Sequence, residues 1–271
     1  MKNSIKKFLQ HIGFIDKARM IYNSAKSISP EVLTNEIKFR KNGLPDGYPA
    51  PPPKLIFLII ALRWNSVYYN SGKLIFDDML KVLDKNKIEL EKLNRVLDFG
   101  CGCGRIIRHF HHHSKHFELF GSDYNPLLIK WCSANLTFGN FSVNKLAPPL
   151  NYENIFFYFV YARSVFTHLG FDLQKEWMKE FERIIKPGGF LYLTTHGENL
   201  YNNLTPEQLN SLQQNGILTI NDDIEGDNKC TTYQTKKFIE ENLLSGFKIV
   251  DFIPGKNEKN LTQDIYLMVR L

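Results

Sequence analysis

The sequence contains no long hydrophobic run. Its longest apolar stretch covers residues 55–62, whereas a helix that crosses a membrane needs about 20 apolar residues. Near the start, Lys2, Lys6 and Lys7 are followed by alternating polar and apolar residues, not by the apolar core of a secretory signal. We therefore expect a cytoplasmic protein without a membrane span.

Cysteine is scarce, and its spacing argues against a metal site or a disulfide framework. The cysteines at positions 101, 103, 132 and 230 include no C-x-x-C pair. Cys101 and Cys103 lie inside a glycine-rich turn, where a zinc ion or a disulfide would compete with a ligand for space. The sequence therefore predicts reduced thiols and no metal.

Basic residues are concentrated at one end of the chain. Residues 1–54 contain ten Lys or Arg and four Asp or Glu, whereas residues 55–271 contain 24 of each, so the net charge of +6 belongs to the first segment. The larger segment lacks the excess of Lys and Arg that a nucleic-acid groove requires. We therefore expect no nucleic-acid substrate there.

The basic segment has its own pattern. Apolar residues near helical spacing between positions 5 and 15 predict an amphipathic helix, and prolines at 45 and 51–53 end the helical pattern. Residues 1–54 are thus predicted to be a basic helical extension with a Pro-rich connector, and residues 55–271 the main domain. Such a helix packs on its own domain, or makes a peripheral contact with an anionic membrane or a partner.

The most informative segment is residues 96–105, V-L-D-F-G-C-G-C-G-R, in which an apolar strand ends in an acid and three glycines follow at alternate positions. Glycines at such a turn let the backbone come close to a ligand. A dinucleotide fingerprint would need its third glycine at position 105, where the chain has Arg105. The Gly-Lys-Ser/Thr ending of a P-loop is also absent from the sequence.

The order Asp-x-Gly-x-Gly-x-Gly at residues 98–104 resembles motif I of class I S-adenosylmethionine-dependent methyltransferases. A second acid, Asp123, ends another apolar segment 19 residues beyond Gly104. Residues 160–169 and 181–191 look like the fourth strand and the helix, turn and fifth strand of that family. The resemblance implies an α/β fold with a doubly wound, mostly parallel seven-stranded sheet, and S-adenosylmethionine as cofactor.

The hydrophobic pattern places strands near residues 95–99, 117–122, 141–143, 155–161 and 190–195, with helices at 74–83, 105–112, 126–134 and 171–185. A helix near 234–244 and strands at 247–253 and 264–271 are predicted to close the sheet. Between them, residues 199–232 are polar and predict an insertion over the strand ends.

The resemblance also implies roles for single residues. Asp98 would position the methionine moiety of the cofactor, or else cap a turn, and Asp123 would accept hydrogen bonds from ribose hydroxyls. Asn144 would pair with the adenine edge, or else be a plain loop residue. Tyr69 and Gly72, in a predicted turn at residues 68–72, would contact the cofactor or only pack in the loop. The other implied cofactor contacts are Gly100, Cys101, Gly102, Gly104, Tyr124 and Ser164.

Histidines supply the candidate catalytic groups. His168 and His196 follow predicted strand ends, where neutral imidazole would take a proton from a substrate hydroxyl. Each is otherwise a capping or packing residue. A further run of histidines at positions 109, 111, 112, 113 and 116 is interpreted as a solvated helix end, because no carboxylate or thiolate completes a metal site.

These observations favour a methyltransferase that acts on a small molecule, at the hydroxyl oxygen of a sugar or another metabolite. Pro148-Pro149 lies before the fourth strand and is followed by Leu150, unlike the Asn/Asp-Pro-Pro-Tyr motif of enzymes that methylate base or glutamine amines. Two alternatives stay open: an enzyme that modifies a protein or RNA through the basic extension, and a non-catalytic module that binds S-adenosylmethionine. The sequence does not indicate an oligomeric state.

Overall fold

The structure is a computed structural model that describes residues 29–113, 117–256 and 263–271. It divides into two compact units, and the boundary falls between Ser71 and Gly72. The amphipathic helix predicted between residues 5 and 15 lies outside the described residues. The division proposed at residue 54 places the boundary earlier and stays a prediction.

The first unit contains helices α1 (Pro30–Asn42) and α2 (Pro53–Ile60), which are separated by a non-helical stretch rich in proline. Glu36 of α1 is 3% exposed. Its carboxylate accepts hydrogen bonds from Arg40 Nε at 3.0 Å and from the backbone N–H of Ser66 at 2.9 Å. These two donors satisfy the buried charge, which would otherwise destabilise the unit.

Helix α3 (Asn65–Lys85) is longer than the sequence predicted and begins before the position where we expected a turn. The turn predicted at residues 68–72 is wrong: these residues lie within α3. Tyr68, Phe76 and Met79 are all buried and share one helical face, so the apolar repeat continues through the polar residues that suggested a turn. Gly72 is tolerated there although glycine costs about 1 kcal/mol in a helix.

The second unit is built on a seven-stranded sheet with the strand order β3-β2-β1-β4-β5-β9-β8. The first five strands of the chain pair in parallel, whereas β9 runs antiparallel to both of its neighbours. The doubly wound, mostly parallel fold is therefore confirmed. The strands are β1 (Arg95–Phe99), β2 (Glu118–Asp123), β3 (Gly139–Val143), β4 (Phe157–Ala162), β5 (Ile185–Thr195), β8 (Phe247–Ile253) and β9 (Asp264–Arg270).

Helices cover both faces of this sheet. The alternation of side chains along β1 sends Val96 to one hydrophobic core and Leu97 to the other. Phe76 of α3 packs in the first core, and Trp177 packs in the second. The helices of this unit that follow α3 are α4 (Ile107–His113), α5 (Pro126–Asn135), α6 (Phe171–Ile184), α7 (Pro206–Asn215) and α8 (Lys236–Asn242). Among the described helices, we find none with the length and apolar character needed to cross a membrane.

Residues 199–232, predicted as a polar insertion, contain ordered elements. Helix α7 begins with a capping box in which Thr205 and Gln208 satisfy each other's backbone N–H groups. Strands β6 (Ile217–Ile220) and β7 (Thr231–Gln234) then form a separate antiparallel pair. The insertion therefore carries a small sheet of its own, which the polar composition did not reveal.

Candidate functional site

The functional candidates gather at one edge of the main sheet. The glycine turn follows β1, Asp123 ends β2, Asn144 follows β3, and the two histidines follow β4 and β5. In open sheets of this topology, ligands bind outside the carboxyl ends of the parallel strands. The fold therefore brings residues that are far apart in sequence to the edge where a ligand is expected.

The glycine turn has a backbone that only glycine adopts without strain. Gly100, Gly102 and Gly104 have φ angles of 75°, 58° and 76°. A Cβ on Gly100 would collide with the side chain of Val165. The backbone N–H groups of Gly100 and Cys101 both donate to the carbonyl of Ser122, at 2.8 and 3.0 Å. The turn is thus held against the end of β2 and packs too closely on Val165 and Leu136 for side chains at Gly100 and Gly104.

Asp123 is a buried carboxylate that ties this turn to the next helix. Oδ2 accepts the Gly102 N–H at 2.9 Å, and Oδ1 accepts the Asn125 N–H at 2.8 Å. Burial raises its pKa, and these two donors oppose the rise. Because each carboxylate oxygen accepts more than one hydrogen bond, Asp123 retains acceptor capacity for hydroxyl groups.

Asp98 and Asn144 each bury an oxygen that has no hydrogen-bond partner within the described part of the chain, Oδ2 and Oδ1 respectively. Burial raises the pKa of Asp98 to about 7, and the Tyr161 hydroxyl and the Arg105 charge oppose this rise. Asn144 Nδ2 donates to the Lys145 carbonyl at 2.7 Å. Unsatisfied buried oxygens at a ligand-binding edge fit a ligand that brings its own donors.

Three other predicted contacts differ in their exposure. Cys101 is buried, and its Sγ lies 3.6 Å from the Gly102 carbonyl oxygen. Tyr124 is 46% exposed. Ser164 has a φ of 62°, and its Oγ accepts a hydrogen bond from Gln263 Nε2 at 2.6 Å. The cofactor contacts proposed for these residues stay predictions.

Tyr69 and Gly72 lie in α3 and not in a loop. A Cβ on Gly72 would collide with the backbone carbonyl of Arg105, so glycine allows the helix to approach the end of the glycine turn. Tyr69 is 8% exposed, and its ring meets Phe39 edge-on with centroids 5.6 Å apart. Loop packing is thus the wrong account of both residues, and their proposed cofactor contacts stay untested predictions.

The two candidate catalytic histidines are held in the same way. His168 Nδ1 lies 2.7 Å from the Cys230 carbonyl, and His196 Nδ1 lies 3.2 Å from the Thr232 carbonyl. A carbonyl only accepts, so each Nδ1 carries the proton and each Nε2 keeps a lone pair. Burial lowers the pKa of both imidazoles, that of His196 to about 4 with His168 as a further cause. Both rings are therefore neutral near pH 7.

The insertion frames the segment that carries His168. The N–H of Gly226 donates to the His168 carbonyl at 2.8 Å, and Thr232 Oγ1 donates to the Leu169 carbonyl at 2.7 Å. Glu225 Oε1 also accepts the Gly170 N–H. Sequence reasoning missed Glu225 and Thr232 because polar residues in a polar stretch carry no periodic signal; the β-branched Thr231-Thr232 pair was the available hint of a strand.

The same insertion approaches the ends of β2 and β3. A Cβ on Gly226 would lie 2.8 Å from Leu146 Cδ1 and 3.8 Å from Tyr124 Cζ. Gly226 has a φ of 84°, a backbone conformation that favours glycine. One loop thus contacts both the histidine segment and the end of the strand that carries Asp123.

Two histidines of the run, His109 and His111, are not solvated as predicted, whereas the side chains of His112, His113 and His116 lie outside the described residues. His109 is 6% exposed, and His111 stacks on Phe138 with ring centroids 4.8 Å apart. His109 lies against Phe76 of α3, with ring centroids 6.2 Å apart, and its neighbour Phe110 stacks on Tyr161 of β4, with centroids 5.4 Å apart. Within residues 29–113, 117–256 and 263–271, we find no cluster of three or more His, Cys, Asp or Glu that is placed to hold a metal ion.

Solved structures share the fold of this chain. An S-adenosylmethionine-dependent methyltransferase from Methanosarcina mazei is 20% identical, with 65% of this chain and 92% of that chain covered and a TM-score of 0.50. One from Clostridium acetobutylicum is 14% identical, with coverages of 74% and 92% and a TM-score of 0.51. A protein from Pyrococcus horikoshii is 18% identical, with coverages of 76% and 95% and a TM-score of 0.52. At these identities the likeness concerns the fold.

Comparison at the level of sequence identifies the family. No curated protein sequence matches this chain significantly. The family model of the methyltransferase domain matches residues 71–251, which is more than half of the chain and includes every strand from β1 to β7. The motif I glycines, the acid at the end of β2 and the strand order agree with that match, and the chain belongs to the S-adenosylmethionine-dependent methyltransferases.

Proposed function

We propose that this methyltransferase methylates the hydroxyl oxygen of a small molecule, such as a sugar or another metabolite, with His168 as the general base. The observation that carries the proposal is the pair of neutral imidazoles at the carboxyl ends of β4 and β5, each with Nδ1 fixed by a backbone carbonyl. A histidine so oriented presents Nε2 as the atom that accepts a proton.

The cofactor, S-adenosylmethionine, fits the residues at the other half of the edge. The backbone of the turn at Gly100, Gly102 and Gly104 would lie close to the cofactor. Asp123 would accept hydrogen bonds from the ribose hydroxyls of the cofactor. Asp98 and Asn144 would pair their unsatisfied oxygens with its polar groups. Tyr69, Gly72, Cys101, Tyr124 and Ser164 are further proposed contacts. When bound, the cofactor supplies an electrophilic methyl group on a positively charged sulfur.

The protein's own part in the reaction is positioning and proton transfer. The insertion would cover the acceptor, and its bonds to the His168 segment would keep the imidazole in one orientation. His168 Nε2 would take the hydroxyl proton as the oxygen attacks the methyl carbon, and His196 is the second candidate for this role. The buried thiols agree with a reducing, cytoplasmic location, which is part of the proposal.

The test is a screen of sugars and small phenols with S-adenosylmethionine, in which release of S-adenosylhomocysteine is measured. A hydroxylated small molecule that gives turnover in the wild type supports the proposal. Turnover only with a protein or RNA, abolished by deletion of residues 1–42, would favour the macromolecular alternative. Cofactor binding without turnover on any acceptor class would favour a non-catalytic module.

A further inference from the structure

Arg163 is the first residue after β4, the strand that lies between β1, which leads to the glycine turn, and β5, which leads to His196. Its side chain is half-buried. The charged or polar groups within electrostatic range are Tyr192 of β5, Arg105 at the end of the glycine turn and Asp78 of α3. The Arg163 charge also reaches His196, whose pKa it helps to lower. Arg163 therefore lies inside the proposed site.

This arginine makes no hydrogen bond or ion pair with any residue that the structure describes. Arg183 shows the contrast: its guanidinium bonds to Glu180 at 2.6 and 2.8 Å and to the Tyr152 carbonyl at 2.8 Å. The nearby Asp78 carboxylate is engaged by Lys81 Nζ at 2.7 Å. Arg163 is thus a half-buried charge that lacks, among the described residues, the hydrogen-bonded partner that Arg183 has.

An uncompensated guanidinium of this kind is costly. Burial lowers the pKa of Arg163 to about 10, and the like charge of Arg105 adds to this effect while Tyr192 and Asp78 oppose it. The group stays protonated at neutral pH, since the lowered pKa is still far above 7. Proteins retain a charge without a partner at a ligand-binding edge when a ligand supplies the opposite charge.

We propose that Arg163 is the carboxylate-binding residue of this site. A planar guanidinium with free N–H groups matches the two oxygens of a carboxylate in a bidentate pair. The carboxylate comes from one of two sources, the methionyl group of the cofactor or an acidic acceptor. The inference rests on the proposed function, because both sources belong to the methyl-transfer site.

The test compares binding by wild type, Arg163→Met and Arg163→Lys in titration calorimetry. The first arm uses S-adenosylhomocysteine and 5′-methylthioadenosine, which lacks the amino-acid carboxylate. If the cofactor supplies the carboxylate, Arg163→Met should bind S-adenosylhomocysteine roughly 10- to 100-fold more weakly and bind 5′-methylthioadenosine as the wild type does. Arg163→Lys should fall between, because it keeps the charge and loses the bidentate geometry.

The second arm measures binding to protein saturated with S-adenosylhomocysteine, using 4-hydroxybenzoate and its neutral partner 4-hydroxybenzamide. If the acceptor supplies the carboxylate, the wild type should prefer the benzoate, and Arg163→Met should lose that preference without a change in nucleoside affinity. Arg95→Met, at the opposite end of β1, is the matched control and should behave as the wild type.

Folded Arg163→Met that matches the wild type in both arms would overturn the inference and leave the proposed function intact. If Arg163→Met does not fold, the binding of the same ligands is compared between the wild type, Arg163→Lys and Arg163→Gln. If the wild type binds neither nucleoside, the proposed function fails and the inference fails with it. The two failures are therefore distinguishable.

Discussion

The sheet edge that carries the candidate residues has two halves, the proposed cofactor side with Asp123 and the histidine side with His168, and they are built from contacts of different range. On the cofactor side, the Gly102 N–H bonds to Asp123, 21 positions away, and the glycine turn rests on Ser122. On the histidine side, His168 and Leu169 are held by Cys230 and Thr232, more than 60 positions away. The first half is a property of one strand-turn-helix-strand unit, whereas the second exists only when the insertion has folded onto it.

The two halves of the edge therefore depend on different parts of the chain. The glycine turn depends on backbone conformations with positive φ, which leave little freedom to replace its glycines with other residues. The histidine side depends on side chains and carbonyls of the insertion that carries β6 and β7. The sequence of such a loop region can vary without disturbing the main sheet. Variants that act on one half and spare the other should therefore separate cofactor binding from turnover.

The largest separation is expected from His168→Ala. Loss of the general base should lower kcat by about 10² to 10⁴, while affinity for S-adenosylhomocysteine stays near that of the wild type. The measurement is turnover per folded molecule with an acceptor from the screen, beside calorimetry on the same sample. His111→Ala, a histidine on α4, is the control. A lower thermal stability with unchanged turnover would show that His168 is only a packing residue.

Asp123→Ala should chiefly weaken cofactor binding, in contrast to His168→Ala, which should chiefly lower kcat. Two backbone N–H groups and the proposed ribose hydroxyls lose their acceptor, so binding of S-adenosylhomocysteine should weaken by roughly 1 to 3 kcal/mol. Calorimetry measures this effect, with Asp172→Ala as a control because that side chain is 91% exposed. An unchanged dissociation constant in a folded variant would place the ribose contact elsewhere.

Asp98→Asn should show its effect in stability against pH, without cofactor. The folded pKa of Asp98, about 7, exceeds the usual 3.8, so the folded state binds the proton more tightly. The free energy of unfolding of the wild type should fall as pH rises from about 4 to 7 and level off above. The advantage of Asp98→Asn over the wild type should grow by about 2 to 3 kcal/mol between pH 5 and pH 8.

Asp251→Asn is the control of opposite sign for this measurement. Burial raises the pKa of Asp251, but its hydrogen bonds with Lys85 and Asn86 outweigh burial and lower it overall. Its carboxylate therefore stabilises the folded state near neutral pH, and that contribution is lost as pH falls through the lowered pKa. Parallel pH dependence in the two variants would contradict the assignment for Asp98.

The smallest effect is expected from Thr232→Val. The variant loses the 2.7 Å bond from Oγ1 to the Leu169 carbonyl and the 3.0 Å contact with Thr219 Oγ1. Unfolding free energy should fall by about 1 kcal/mol, and kcat should fall more than cofactor affinity. Thermal denaturation and turnover together check it. Equal losses of turnover and of cofactor affinity would show that the hairpin supports both halves of the edge alike.

Regular elements were the easiest part to predict from the sequence. The predicted strands agree with the structure to within a few residues at most ends, because their apolar runs are bounded by glycine, proline and polar turns. The turn at residues 68–72 was the clear error, since the helical repeat outweighs a glycine whose lack of a side chain serves packing against Arg105. The exposure of His109 was predicted wrongly because it depends on which face of α4 packs against the neighbouring elements.

By itself, the sequence determined the backbone of the glycine turn. The Asp-x-Gly-x-Gly-x-Gly order predicts a strand, a turn with positive φ and a helix. The apolar segment that ends at Asp123 predicts the next strand. Only the tertiary structure decided how His168 and His196 are oriented and that Arg163 makes no hydrogen bond or ion pair with the residues described here. The reason is physical: backbone conformation is local, whereas the orientation of a buried side chain depends on atoms that only the folded chain brings near.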